Sequence, residues 1–136
     1  MLERLPEWEQ LLHDYVADLE GAAFRWGELD CALFAAGAVL AQTGVDLAAA
    51  YRGHYSTARG SVRALRRFGD GTLEATIDAA LPRIEPAFAR RGDLVMVDGM
   101  AGVSIGPRAL FVGDVDGAPG WVRLERSAWS IAWKVG

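Results

Sequence analysis

The stretch Phe24-Arg25-Trp26-Gly27-Glu28-Leu29-Asp30-Cys31, continuing through Ala32, Leu33, Phe34 and Val39 to Thr43-Gly44, spells out a bend, a cap, a helix and a stop. Gly27 is the pivot of the bend. Asp30 has a side chain suited to an N-cap, where its carboxylate accepts bonds from first-turn N–H groups. From Cys31 to about Thr43 nearly every residue is apolar or small. A helix apolar on most faces belongs among neighbouring elements, so this one is expected at the centre, with Cys31 as its first residue. Gly44 ends it.

Working outward, Pro6 suits a first helical position. Leu5, Trp8, Leu12, Tyr15 and Leu19 then recur at helical spacing up to Gly21, as the buried stripe of a first helix. Beyond the central helix, Gly53-His54-Tyr55-Ser56 reads as a loop, and Ser56 or Thr57 as the cap of a third helix to about Phe68. Gly69-Asp70-Gly71 breaks the chain, Thr72 caps a short fourth helix, and Pro82 stops it. Leu81–Ala89 links the two halves. After Arg91-Gly92-Asp93 come short β-rich runs: Leu94–Val97, Val103–Ile105, Ala109–Val112, Trp121–Leu124 and Ile131–Val135. Turns at Asp98-Gly99, Gly106-Pro107 and Asp116-Gly117 separate most of them. Helices followed by an antiparallel meander define the α+β class, in one domain spanning residues 1–136.

The bulk properties narrow the function. The chain has 136 residues, 51 % hydrophobic and 24 % charged, with net charge −4. An acidic domain lacks the long-range attraction to phosphate that nucleic-acid binding uses. Its one basic cluster, Arg59, Arg63, Arg66 and Arg67, falls at helical spacing and reads as a solvated face. Met1–Asp14 has no apolar core of a signal peptide, and the apolar run Ala32–Ala41 is too short for a bilayer. The expectation is synthesis in the cytoplasm with no membrane segment. A lone cysteine excludes an internal disulfide and a cysteine-cluster metal site, and two histidines are too few for zinc. No cofactor is expected.

Cys31 carries the chemical interest. Helix N-terminal N–H groups and the helix dipole stabilise a thiolate, while the adjoining Asp30 carboxylate opposes it. The competing reading is a small buried apolar residue. His13 falls on or beside the polar face of the first helix. His54, in a loop, reads as partly exposed, with a second role open to it as a substitute base for Cys31. Ser104 lacks the basicity for that task. Asp93 and Asp98 fit turn or strand-end roles. Of the five tryptophans, Trp26 and Trp133 have apolar or small flanks and read as core. Trp121 and Trp129 are the interface candidates, Trp129 above all for its Ser-Ala-Trp-Ser setting.

The string Phe24-x-Trp26-Gly27-x-x-Asp30-Cys31-x-x-Phe34 resembles the Asp-Cys motif of NlpC-type cell-wall cysteine peptidases, which have a papain-like fold. Arg91-Gly92-Asp93-Leu94-Val95 resembles the Gly-Asp-Leu strand that precedes their histidine. The order of elements agrees too, and the similarity runs from about Phe24 to Val112. The whole sequence looks closest to short phage and prophage proteins related to these peptidases, encoded among the tail genes of phages and gene-transfer particles. The resemblance implies Cys31 as nucleophile or its vestige, with Trp26, Gly27, Asp30 and Asp93 as supporting motif residues. The family's histidine opens a strand of the form His-Val-Gly-Ile-Tyr-Leu-Gly. The matching stretch is Met100–Gly106, which puts Met100 in the histidine slot. Methionine accepts no proton, and a thiol without its base loses most of the cysteine–histidine mechanism.

Three readings follow. The leading one is a tail-associated structural or assembly pseudoenzyme that binds other tail or tail-tip proteins through its late strands and is carried in a phage-like tail. The second is a working cysteine peptidase acting on peptidoglycan stem peptides, its base supplied by His54 or a partner. The third is an unrelated binding module in which the Asp-Cys string is coincidence.

Overall fold

The computed structural model describes residues 2–115 and 118–136, so the turn expected at 116–117 lies outside the described residues. Four helices precede the sheet: α1 (Trp8–Leu19), α2 (Cys31–Thr43), α3 (Ala58–Phe68) and α4 (Leu73–Ala80). Six strands follow: β1 (Arg83–Ile84), β2 (Leu94–Val97), β3 (Met100–Ser104), β4 (Arg108–Val115), β5 (Ala118–Glu125) and β6 (Ile131–Trp133). The class is α+β.

Local signals set the helix ends. Asp30 caps α2, accepting from the Leu33 N–H at 2.9 Å, and Gly44 closes it at φ 79°. The hydroxyl oxygens of Thr57 and Thr72 cap α3 and α4 in the same manner. α1 starts at Trp8 rather than Pro6. Leu5 is therefore no part of its buried stripe: it precedes the helix, is exposed, and donates its backbone N–H to the Gln42 carbonyl at 2.7 Å. Arg59, Arg63, Arg66 and Arg67 are all exposed along α3, as a solvated face should be.

The sheet order is β1-β6-β2-β3-β4-β5, with every pairing antiparallel. The expected meander holds for β2 to β5 only. β6 returns across the sheet to lie between β1 and β2. The Ser130 backbone N–H and hydroxyl both donate to the Met96 carbonyl, at 2.9 and 3.0 Å, and pull the chain back beside β2. β1 itself falls in the stretch expected to be a linker.

Alternation along the strands gives the sheet two buried faces. Leu94, Met96, Ala101, Val103, Leu110, Val112 and Trp133 face Leu12 of α1 and Phe34, Ala35 and Val39 of α2. Val95, Val97, Ala109, Phe111 and Ala132 face the other way, against Ala89 and Trp129. Gly37 lets α1 approach α2: a Cβ there would lie 2.0 Å from the Tyr15 hydroxyl, which donates to the Phe34 carbonyl at 2.8 Å.

A polar knot joins distant segments beneath this core. The Asp93 carboxylate accepts from Arg4, the Arg90 N–H and the Val135 N–H, at 3.2, 2.9 and 3.0 Å. Gln42 of α2 accepts from Arg4 Nε and donates to the Gly92 carbonyl. Asp93 thus acts as a turn residue whose carboxylate reaches three segments.

Candidate functional site

Residues 25–29 close a tight loop in which Arg25 and Leu29 exchange backbone hydrogen bonds of 2.8 Å. Gly27 sits at φ 80°, and a Cβ there would lie 1.8 Å from the Tyr55 carbonyl oxygen, so only glycine fits. Asp30 is 1 % exposed and organises its surroundings. One oxygen caps α2. The other accepts from the Gly27 N–H at 3.1 Å and from the Tyr55 hydroxyl at 2.5 Å. The carboxylate is turned into the bend and the 45–57 segment.

Cys31 follows at the first position of α2, partly exposed. Burial pushes its thiol up. The Ala101 backbone N–H counteracts this, and the Asp30 carboxylate reinforces it. Enclosure therefore outweighs the helix terminus, and the thiol is favoured over the thiolate near neutrality.

The strand opposite the thiol is β3, and its parity matters. Ala101 and Val103 belong to the face packed on α2. Met100 belongs to the other face, against the cluster of Val97 and Phe111. Its sulfur lies 2.7 Å from where a Cβ on Gly113 would stand. Shifting by one residue along a strand moves a side chain to the opposite face. The residue that meets Cys31 is thus Ala101, while Met100 points away from it.

Neither histidine lines the cavity beside Cys31. His13 is exposed on α1. His54 lies edge-on to Phe68 at 5.9 Å and lines a separate hollow with Arg63 and Arg67. Tyr55 borders both spaces. Ser104 is fully buried and donates to the Gly106 carbonyl. Asp98 and Gly99, at φ 48° and 79°, make the two-residue hairpin between β2 and β3.

The cavity at Cys31 measures about 280 Å³ and lies between α2 on one side and α3 and α4 on the other. Leu33, Ala36, Leu47, Leu65, Leu73 and Ile77 line it, together with Trp26, Tyr51 and Tyr55. Apolar wall left to water forgoes roughly 25 cal/mol for each Å². No sequence signal announced this space, because it arises where helices distant in sequence fail to close on one another.

The tryptophans divide differently from expectation. Trp133 is fully buried and its indole N–H donates to Asp78 at 2.9 Å. Trp26 is half-buried, edge-on to Phe24. Trp121 is half-buried, edge-on to Phe34, and donates to the Ala22 carbonyl at 2.9 Å. Trp129 corrects the sequence reading: it is 5 % exposed, not presented at a surface. It fills the outer face of the sheet, donates to the Leu124 carbonyl and carries the Arg126 guanidinium over its ring.

Among the described residues no group of three or more His, Cys, Asp or Glu side chains is placed to hold a metal ion. No helix there is long and apolar enough to cross a membrane. No curated protein and no solved structure matches the chain. A family model does match it, over residues 3–135, and so covers the bend, Cys31, the cavity and the whole sheet. The chain accordingly belongs to the family described as Domain of unknown function (DUF6950).

Proposed function

We propose that this chain is a structural or assembly component of a phage or gene-transfer-particle tail, built on an NlpC-type papain-like fold whose hydrolytic chemistry has been lost. The observation that carries the loss of chemistry is the pairing of Cys31 with Ala101. The thiol opens a helix packed on an antiparallel sheet, as a papain-like nucleophile would. The strand position opposite it offers a methyl group and a backbone N–H in place of an imidazole. Without a base at that position, general-base catalysis loses about 10²–10⁴-fold. Burial of the thiol reduces the nucleophile further.

The tail assignment rests on the resemblance of the bend-and-cysteine motif and of Gly92-Asp93-Leu94 to tail-cluster relatives of the peptidases. Such a component works through protein contacts. The docking region is narrowed to the β5 edge, since β5 ends the sheet and has one side open to another strand. Trp129 has no part in it.

The test has two arms. Purified protein is expected to leave peptidoglycan stem peptides uncut and to react slowly with iodoacetamide near neutral pH. Ala101→His should speed labelling of Cys31, while Met100→His should leave the rate unchanged. Turnover that vanishes in Cys31→Ser would overturn the loss of chemistry, and restore His54 as base if it also vanished in His54→Ala. For the assembly role, tagged protein should purify with tail components. Its consistent absence from particles would remove that role.

A further inference from the structure

The wall of the Cys31 cavity leaves a ligand almost no polar group to engage. Among the described residues Asp30 is the only carboxylate in it, and its oxygens already accept from Gly27, Leu33 and Tyr55. No Lys, Arg or His among the described residues lines it. The Ser61 hydroxyl donates to the Ala58 carbonyl of its own helix and the Thr76 hydroxyl to the carbonyl of the capping Thr72, both at 2.6 Å. Among the described residues no buried side-chain nitrogen or oxygen lacks a partner. The space therefore offers a ligand no free charge, and its remaining polar side-chain groups are the Trp26 indole, the Tyr51 hydroxyl and the Cys31 thiol.

Its shape is equally specific. Leu73, Thr76, Ile77 and Ala80 line it along the whole of α4, a run of about 10 Å at the helical rise. Aliphatic and small side chains of α2 form the opposite wall. The α4 side is the yielding one, since that helix has no fully buried residue. An apolar cavity lined along about 10 Å of helix matches an aliphatic chain of similar length.

We propose that this cavity binds an uncharged aliphatic chain of octyl length, lying between α2 and the α3–α4 pair and covering Cys31. The proposal is independent of the tail assignment. It needs no chemistry at the thiol, which serves only as a reporter.

1-Octanol is the probe, with octanoate and 1-butanol as comparators, on the full chain. Octanol should raise the melting temperature saturably and slow iodoacetamide labelling of Cys31 by about tenfold at saturation. Octanoate should bind at least about tenfold more weakly, because its carboxylate finds no partner in the slot. Butanol should do little. Ala36→Phe fills the slot and should abolish the octanol response. If that variant does not fold, Ala32→Leu at the same wall serves instead. Absence of a saturable response to octanol overturns the proposal. So does equal affinity for octanoate, or a response undiminished in the filled variants. Protection of Cys31 by a partner protein but never by octanol would assign the slot to a partner's side chain and likewise end it.

Discussion

Two helical regions of this chain meet the same cavity on opposite terms. Nine residues of α2 are buried, whereas α3 buries only Ala64 and α4 none. α2 is wedged between α1 and the sheet, and its packing is fixed by Phe34, Val39 and the Tyr15 bond to the Phe34 carbonyl. α4 packs Leu73 and Ile77, only partly buried, against that core and is tied down by Arg83 pairing with Asp78 and Glu74 and by the Trp133 bond to Asp78. By the extent of burial, the wall bearing Cys31 is expected to be the more stable locally and the facing wall the less so.

The largest expected effect tests whether the rigid side sets global stability. Trp133→Ala should cost about 3–5 kcal/mol, the range for emptying a buried aromatic site, and lower the denaturant midpoint accordingly. A variant that merely loosened α4 at an unchanged midpoint would break the comparison. Asp30→Ala comes next, at about 2–4 kcal/mol, since it removes a cap and strands the Gly27 N–H and the Tyr55 hydroxyl. Asp30→Asn should lose less, because its amide oxygen can still cap α2. Chemical denaturation of the two variants side by side measures the difference.

Alkaline pH should act on the rigid side. Burial pushes up the phenols of Tyr15 and Tyr55, for Tyr55 with the help of Asp30, and likewise the Cys31 thiol. These groups ionise earlier in the unfolded chain than in the folded one. Their contribution is thus intact below the ordinary thiol and phenol values of 9.0 and 10.0, and is lost as pH rises beyond them. Stability measured from pH 7 upward should fall beyond pH 9, less steeply in Tyr55→Phe. The smallest effect sharpens the loose side. Thr72→Ala removes the α4 cap at a cost of about 1 kcal/mol. Hydrogen exchange should quicken in α4, while α2 amides lose only what the global change dictates.

What the sequence displayed was local. Asp30 and Gly44 mark the ends of α2 because a cap and a left-handed stop act within a turn of where they stand. Thr57 and Thr72 mark α3 and α4 for the same reason. Non-local features were hidden. β1 is two residues long and exists because β6 comes back to pair with it. Trp129 looked exposed from its small and polar neighbours, but its burial depends on Ala89 and Phe111, far away in sequence. The facing of Cys31 and Ala101 turned on strand parity, which a gapless match to a short motif does not fix to within one residue.

Asp93 offers a last consequence, a mechanical one. Arg4 and Val135 both bond to the same carboxylate oxygen, so the two outer segments of the described chain meet at one pole. A pull applied between those segments would load two hydrogen bonds at a single atom together with the Arg4 and Leu5 bonds to Gln42 of α2. Cargo or neighbours attached at either side would leave from the same spot, and the opposite pole, with the Asp98-Gly99 hairpin, would stay unburdened.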